Sequence, residues 1–250
     1  MNQHTIDEFL IAKALQFESL AFIKDDPICI PHQFTQKEDI EIIGLLVSTI
    51  AWGNRKAIIK SGENLVKIMG ESPYDFIMNY NSSREFNFVH RTFSGVDLSF
   101  FFTELKSIYT HHGGLEEVFK KETGQSIAYA IANFRTAMLN APHEARSRKH
   151  LSDPFSNSAC KRLNMFLRWM VRSNKNGVDF GLWKVLSPTE LHVPLDVHTG
   201  NIARKLGILT RKQNDWKSSE LLHEYSTKLL PHDPAAIDFA LFGLGAIEKF

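Results

Sequence analysis

The chain has 250 residues, 43% of them hydrophobic and 23% charged, with 9 Pro and 14 Gly. That composition excludes disordered, collagen-like and low-complexity chains and supplies core enough for one large or two smaller domains without disulfides. The formal charge of +1 is unevenly spread: residues 146–175 hold eight Lys or Arg against Asp153 alone, whereas residues 1–45 carry eight acids against three lysines, and a concentrated basic segment on a neutral chain can mark a polyanion partner.

Two cysteines, Cys29 and Cys160, cannot by themselves ligate a structural zinc or a four-cysteine iron–sulfur cluster, and they suit a reducing compartment. No apolar run approaches the roughly 20 residues of a membrane helix, and the start MNQHTIDEFLIAKALQFE lacks the basic opening and apolar core of a signal peptide. A cytoplasmic monomer with no membrane partner is expected. In chain order the periodic segments read helical and none alternates like a strand, so an all-α fold is expected. Residues 4–23 set Ile6, Leu10, Leu15 and Phe22 at helical spacing, and the loop DDPICIPHQ separates them from a helix over 36–51. Asn54 is placed to cap a helix running to Met69, ended by Gly70 and Pro73. Asp97 is expected to cap a helix over 98–111 with Leu98, Phe101, Phe102, Leu105 and Ile108 on one face. Shorter helices follow at 115–122 and 126–139. APHEARSRKHLSDP then reads as a loop, 157–173 as a long helix, and 197–207, 215–230 and 234–248 as the last three, with Gly243 and Gly245 there to let helices approach closely.

The helix over 157–173 has two chemical faces. At 100° per residue, Leu163, Phe166, Leu167, Met170 and Val171 fall on one side and Lys161, Asn164, Arg168 and Arg172 on the other. The second side is either a solvated cationic face or a phosphate contact. In HVPLDVHTGNIARKLGIL, residues 192–209, Pro194 excludes helix just before, Asp196 is placed to cap a helix through Ile202, Ala203 and Leu206, and Gly207 to stop it. A carboxylate held at a helix N-terminus stays ionised, because the N–H groups and the dipole favour its charge, and so can stabilise a developing cation. His111-His112 and the His192, His198 pair lack i, i+4 spacing with a carboxylate, so no metal is expected. No nucleophile elbow or Gly-rich phosphate loop appears, and no cofactor is expected.

The segment PLDVHTGNIARKLGI resembles the part of the helix-hairpin-helix DNA glycosylase superfamily in which Pro-Val-Asp-x-His opens a helix ending in Arg-Leu-Gly. EDIEIIGLLVSTIAWGNRKAIIKSGENLV, residues 38–66, is similar to the early helix pair of that family, and HRTFSGVDLSFFFTELKSIYTHHGGLEEVF, residues 90–119, to its stretch leading into a Gly-Gly-Leu helix start. Lys161, opening KRLNMFLRWMVR, stands where bifunctional members carry their nucleophilic lysine. Without a C-terminal cysteine cluster the likeness is to the 8-oxoguanine-type and archaeal-like branches. Nearly the whole chain also resembles a bacterial family of unknown function. Departures are local. DPFSNSAC at 153–160 has no glycine where the family hairpin reads Leu-Pro-Gly-Val-Gly, Lys161 and Asp196 are 35 residues apart, and Ile50 and Trp52 stand in place of the wedge glutamine.

The resemblance implies a two-lobed helical glycosylase-like fold with a central cleft, its central domain at 35–186 and its second lobe made of 1–34 with 187–250. Lys161 and Asp196 would face each other across the cleft. The implied partner is double-stranded DNA with a damaged base extruded from the stack, Lys161 the nucleophile at the sugar and Asp196 the carboxylate that stabilises the sugar cation, followed by strand cleavage through an imine. The implied nucleic-acid contacts are Arg146, Arg148, Lys149, Asn157, Ser158, Arg162, Arg168 and Arg172, with Arg162 and Arg168 also favouring the neutral amine of Lys161. Ile50 and Trp52 are the wedge or pocket candidates. Three further classes stay open: a DNA or RNA binder on the same fold that breaks no glycosidic bond, a glycosylase using water activated by Asp196, and a helical scaffold that binds another protein through its acidic N-terminal helix.

Overall fold

The computed structural model describes residues 3–250, and they form an all-α protein. Its helices are α1 (Gln3–Phe17), α2 (Leu20–Ile23), α3 (Lys37–Thr49), α4 (Arg55–Met69), α5 (Pro73–Met78), α6 (Gly95–His111), α7 (Leu115–Val118) and α8 (Ile127–Met138), then α9 (Lys161–Val171), α10 (Val197–Lys205), α11 (Trp216–Leu229) and α12 (Ile237–Phe242). One two-residue hairpin, β1 (Val89–His90) with β2 (Phe93–Ser94), pairs His90 with Phe93 just before α6. None of the helices among the described residues is long and apolar enough to cross a membrane.

The chain divides into two compact units. Asp25–Asp153 form the middle unit, and the residues up to Lys24 join Pro154–Phe250 in a terminal unit. In the middle unit α3 is buried on nearly every side, including Glu41, whose carboxylate takes the Tyr109 hydroxyl at 2.6 Å and lies 3.7 Å from Lys37 Nζ. A buried acid keeps its charge only when paired in this way. Asn54 caps α4 by accepting from Ala57 N at 3.2 Å, as its sequence position requires. The start of α6 corrects the sequence reading: Ser94 is the cap and Asp97 the third helical residue, returning a bond to Ser94 N at 2.8 Å. The pattern Ser-x-x-Asp is a capping box, with the acid one turn inside the helix. The phenylalanines of α6 then pack inward, Phe101 and Phe102 fully buried.

In the terminal unit Leu10 and Ala14 of α1 share a core with Ile202 and Ala203 of α10, Leu222 of α11, and Ile237, Ala240, Leu241 and Leu244. The tight contact between α1 and the end of α12 depends on Gly243, where a Cβ would stand 2.2 Å from the Phe17 ring. Helix α12 grows out of a 3₁₀ turn, Pro234–Ala236, and ends in a π-helical turn, Gly243–Ile247, so the continuous helix expected over 234–248 is three kinds of helix in series.

Two expectations about α9 are corrected. It begins at Lys161 rather than 157, because Asn157 (φ 61°) and Cys160 (φ 48°) both hold the left-handed conformation and break the helical path. The unit boundaries fall at 24/25 and 153/154, not 34/35 and 186/187. The reason lies in Arg168 and Arg172, which tie α9 to Asp179, Asp233, Asp238 and Glu18, all in the terminal unit. Lys161 and Asp196 therefore belong to one unit rather than to two lobes facing across a cleft.

Candidate active site

Asp196 caps α10. Its backbone is extended, its Oδ1 accepts from Thr199 N at 3.0 Å, and Gly207 (φ 75°) follows the helix end. That arrangement leaves Oδ2 3.9 Å from Lys161 Nζ, the first residue of α9, with both side chains about a quarter exposed (28% for Lys161, 24% for Asp196). Two helix N-termini from positions 35 residues apart thus bring an amine and a carboxylate together at a partly open point of the surface. Asn214 Nδ2 donates to Asp196 O at 2.9 Å and fixes the approach to the cap.

Behind this pair runs a buried row of charges. Arg168 lies two turns after Lys161 on the same face of α9, its Nε 3.3 Å from Asp179 Oδ1 and its Nη1 on Asp238 Oδ2. Arg172 continues the row: Nη1 reaches Asp179 Oδ2 at 2.5 Å, Asp233 is held by two parallel bonds at 2.7 Å, and Glu18 lies 2.8 Å from Nη2. Both guanidinium groups sit over the Phe239 ring, at 4.5 and 5.2 Å from its centre. Arg168 and Arg172 are 2% and 3% exposed. The expected cationic face is therefore buried, and neither arginine is available to a phosphate. Asp179, close in sequence, and Glu18, Asp233 and Asp238, far from it, pair it.

Asp238, not singled out by the sequence pattern, joins the buried row through Arg168. It is 6% exposed. Burial is the main influence and raises its pKa to about 6. Arg168 opposes the rise, and among the remaining charges Asp196 adds to it and Lys161 counters it. A folded-state value above the unfolded one means that this carboxyl stabilises the fold fully below the ordinary carboxylate range and loses that contribution as pH rises through about 6. The signal was legible in principle: PAAIDFALFGLGA is apolar on all sides except for Asp238, and an acid inside an all-round apolar helix needs a buried partner.

The other expected contacts disperse. Arg162 is half-buried, and burial pushes its guanidinium down to about 10, still charged at neutral pH. Asn157 donates to Asp215 Oδ2 at 3.3 Å, and Ser158 Oγ accepts from Cys160 N, so both precede α9 and shape its entry. Arg146, Arg148 and Lys149 lie exposed on the middle unit. Arg146 is drawn to Asp97 (3.1 Å) and Glu144 (2.6 Å), and Arg148 donates to His143 at 2.9 Å. Ile50 is fully buried, so it cannot wedge into a base stack. Trp52 is half-buried, stacked on His150 and edge-on to His90, whose Nε2 lies 3.3 Å from Trp52 O. Among the described residues no group of three or more His, Cys, Asp or Glu side chains is arranged to hold a metal ion.

Residues 26–247 match a family described as a protein of unknown function, DUF2400. The chain belongs to that family. No curated protein and no solved structure matches it. The DUF2400 match takes in Lys161, Asp196, Asp238 and the whole buried charge row except Glu18, and it begins after α1 and α2. Helix α1 nonetheless packs directly on α12, so a segment outside the family match helps to hold the helix that carries Asp238.

Proposed function

We propose that the chain excises damaged bases from double-stranded DNA, with Lys161 as nucleophile and Asp196 as the carboxylate that stabilises the sugar cation. The reading is carried by the 3.9 Å approach of Lys161 Nζ to Asp196 Oδ2 at a partly exposed point, together with the resemblance of the Asp196 segment to the helix-hairpin-helix glycosylases. A glycosidic carbon within the stack is inaccessible, so the base must first be turned out of the duplex. The neutral amine of Lys161 then bonds to C1′ as the bond from C1′ to the base nitrogen breaks. The base departs with the electron pair and picks up a proton. Positive charge that develops on the sugar falls beside the Asp196 carboxylate, which the Thr199 N–H holds in place at the start of α10. Loss of the second Nζ proton, with opening of the sugar ring onto O4′, gives the imine that permits β-elimination of the 3′ strand.

Borohydride added during reaction with duplexes carrying oxidised, alkylated or deaminated bases should fix a covalent protein–DNA adduct, and Lys161→Gln should abolish it. Asp196→Asn keeps an oxygen for the Thr199 N–H and should cost no more than about 1 kcal/mol of stability, while base release falls by orders of magnitude. Base release without any adduct would move the reaction to water activated by Asp196. Binding with neither release nor adduct would favour a non-cleaving DNA or RNA binder, the reading to which the glycine-free segment before α9 lends weight.

A further inference from the structure

The middle unit holds an open cavity of about 450 Å³, a size typical of small-molecule sites. Val96, Ser99, Phe100 and Thr103 stand at helical spacing along one face of α6 and line one side of it. His143, Glu144 and Ser147, from the stretch after α8, line it too, as does Tyr80, two residues past α5. Tyr80 is 6% exposed, and its buried hydroxyl has no hydrogen-bond partner among the described residues. The ring has little freedom to turn toward one. It packs against Phe76, Phe86 and Phe102, with centroids 6.3, 6.1 and 5.3 Å away, and its backbone carbonyl takes a bond from Lys106 Nζ at 2.9 Å. A buried hydroxyl left unpaired costs free energy that a ligand with an acceptor would recover.

The rest of the lining sets the chemistry of that ligand. Phe100 and His143 form an aromatic pair with centroids 5.1 Å apart. Both nitrogens of His143 are engaged: Nδ1 lies 2.7 Å from Ala141 O, and Nε2 accepts from Arg148 at 2.9 Å, the pattern of an uncharged imidazole. Glu144 is paired with Arg146 at 2.6 Å. Thr103 donates to Ser99 O and Ser147 to Asp97 Oδ1, which leaves the two hydroxyl oxygens able to accept. The lining therefore offers aromatic surface, a buried donor and acceptor hydroxyls, and no unpaired charge.

We propose that this cavity binds an uncharged planar heterocycle of the nucleobase type. A ring carbonyl or ring nitrogen of the ligand accepts from the Tyr80 hydroxyl, its N–H groups donate to Thr103 and Ser147, and Phe100 with His143 supplies the surface for its plane. The site lies wholly in the middle unit, apart from Lys161 and Asp196 of the terminal unit, so the proposal does not rest on the excision reading.

The test is titration of the intact protein with adenine, cytosine and uracil, with benzoate as a planar but charged control, followed by amide chemical shifts in NMR. At least one base should give saturable shifts over residues 96–103 and 143–147 with a Kd below about 1 mM, and benzoate should not. Tyr80→Phe should weaken that binding roughly tenfold, the worth of one buried hydrogen bond. It should leave thermal stability unchanged or higher, because it removes an unpaired polar atom. Val96→Trp, at a position 52% exposed on the rim, should close the mouth and abolish binding without unfolding the protein. No saturable shift from any base at about 10 mM, or benzoate binding as well as the bases, overturns the proposal. So does base binding that either substitution leaves unchanged. A loss of thermal stability in Tyr80→Phe would show that an ordered water already satisfies the hydroxyl, and would overturn it as well.

Discussion

Arg172 is the residue on which the terminal unit's polar interior turns. Its guanidinium satisfies Asp179, Asp233 and Glu18 at once, from positions as far apart in sequence as 18 and 233; burial works against its charge, and these carboxylates outweigh it and hold the group firmly charged. Arg172→Ala strands those carboxylates and should destabilise the protein by about 3–5 kcal/mol, read from the midpoint of urea unfolding. A loss below about 1 kcal/mol would mean that water replaces the guanidinium freely. The same residue shows where the sequence falls silent. On a helical wheel Arg172 and Arg168 join Lys161 in a stripe that reads as solvated or phosphate-facing, because nothing local announces Asp179, Asp233 or Asp238 as partners. Asp196 was legible because a cap is a local device: extended cap, helical pattern and terminating glycine occupy 12 consecutive residues.

Among the elements, α12 and its π-helical end control how α1 is seated. Gly243→Ala would drive a Cβ into the Phe17 ring, so the helices must separate or the ring must turn out. The expected cost is about 1–3 kcal/mol. Combining it with Phe17→Leu should recover part of that loss, and a double-mutant cycle on thermal unfolding measures the coupling. The sequence pointed correctly to close packing at this glycine, since FGLGA in an apolar helix has few other uses. It did not show the changes of helix type along 234–248: Pro234 opens the 3₁₀ turn, and the π-helical turn begins at Gly243, the residue that meets Phe17. The α6 start was misread by one turn for a related reason: both Ser94 and Asp97 are good caps, and only the returned bond to Ser94 N separates an N-cap from the inner acid of a capping box.

For the molecule as a whole, the α9 arginines are buried while Arg146, Arg148 and Lys149 of the same basic segment are exposed on the middle unit, and under the proposed excision reading these would meet phosphates. Arg148→Ala with Lys149→Ala should flatten the log–log dependence of duplex affinity on salt by about one to two, at about −0.9 per phosphate neutralised, while thermal stability stays within about 0.5 kcal/mol. A slope unchanged by the pair would exclude this segment as a phosphate contact. The division of the chain has another outcome, in time rather than in energy. The middle unit is encoded without interruption, whereas α1 finds α12 only after about 220 further residues have emerged, roughly 10–45 s at ribosomal rates of about 5–20 residues per second. Through that interval Leu10, Ala14 and Phe17 have no core to enter. A helix made before the middle unit completes its packing only after it, and its apolar stripe is the surface that nascent-chain chaperones would meet.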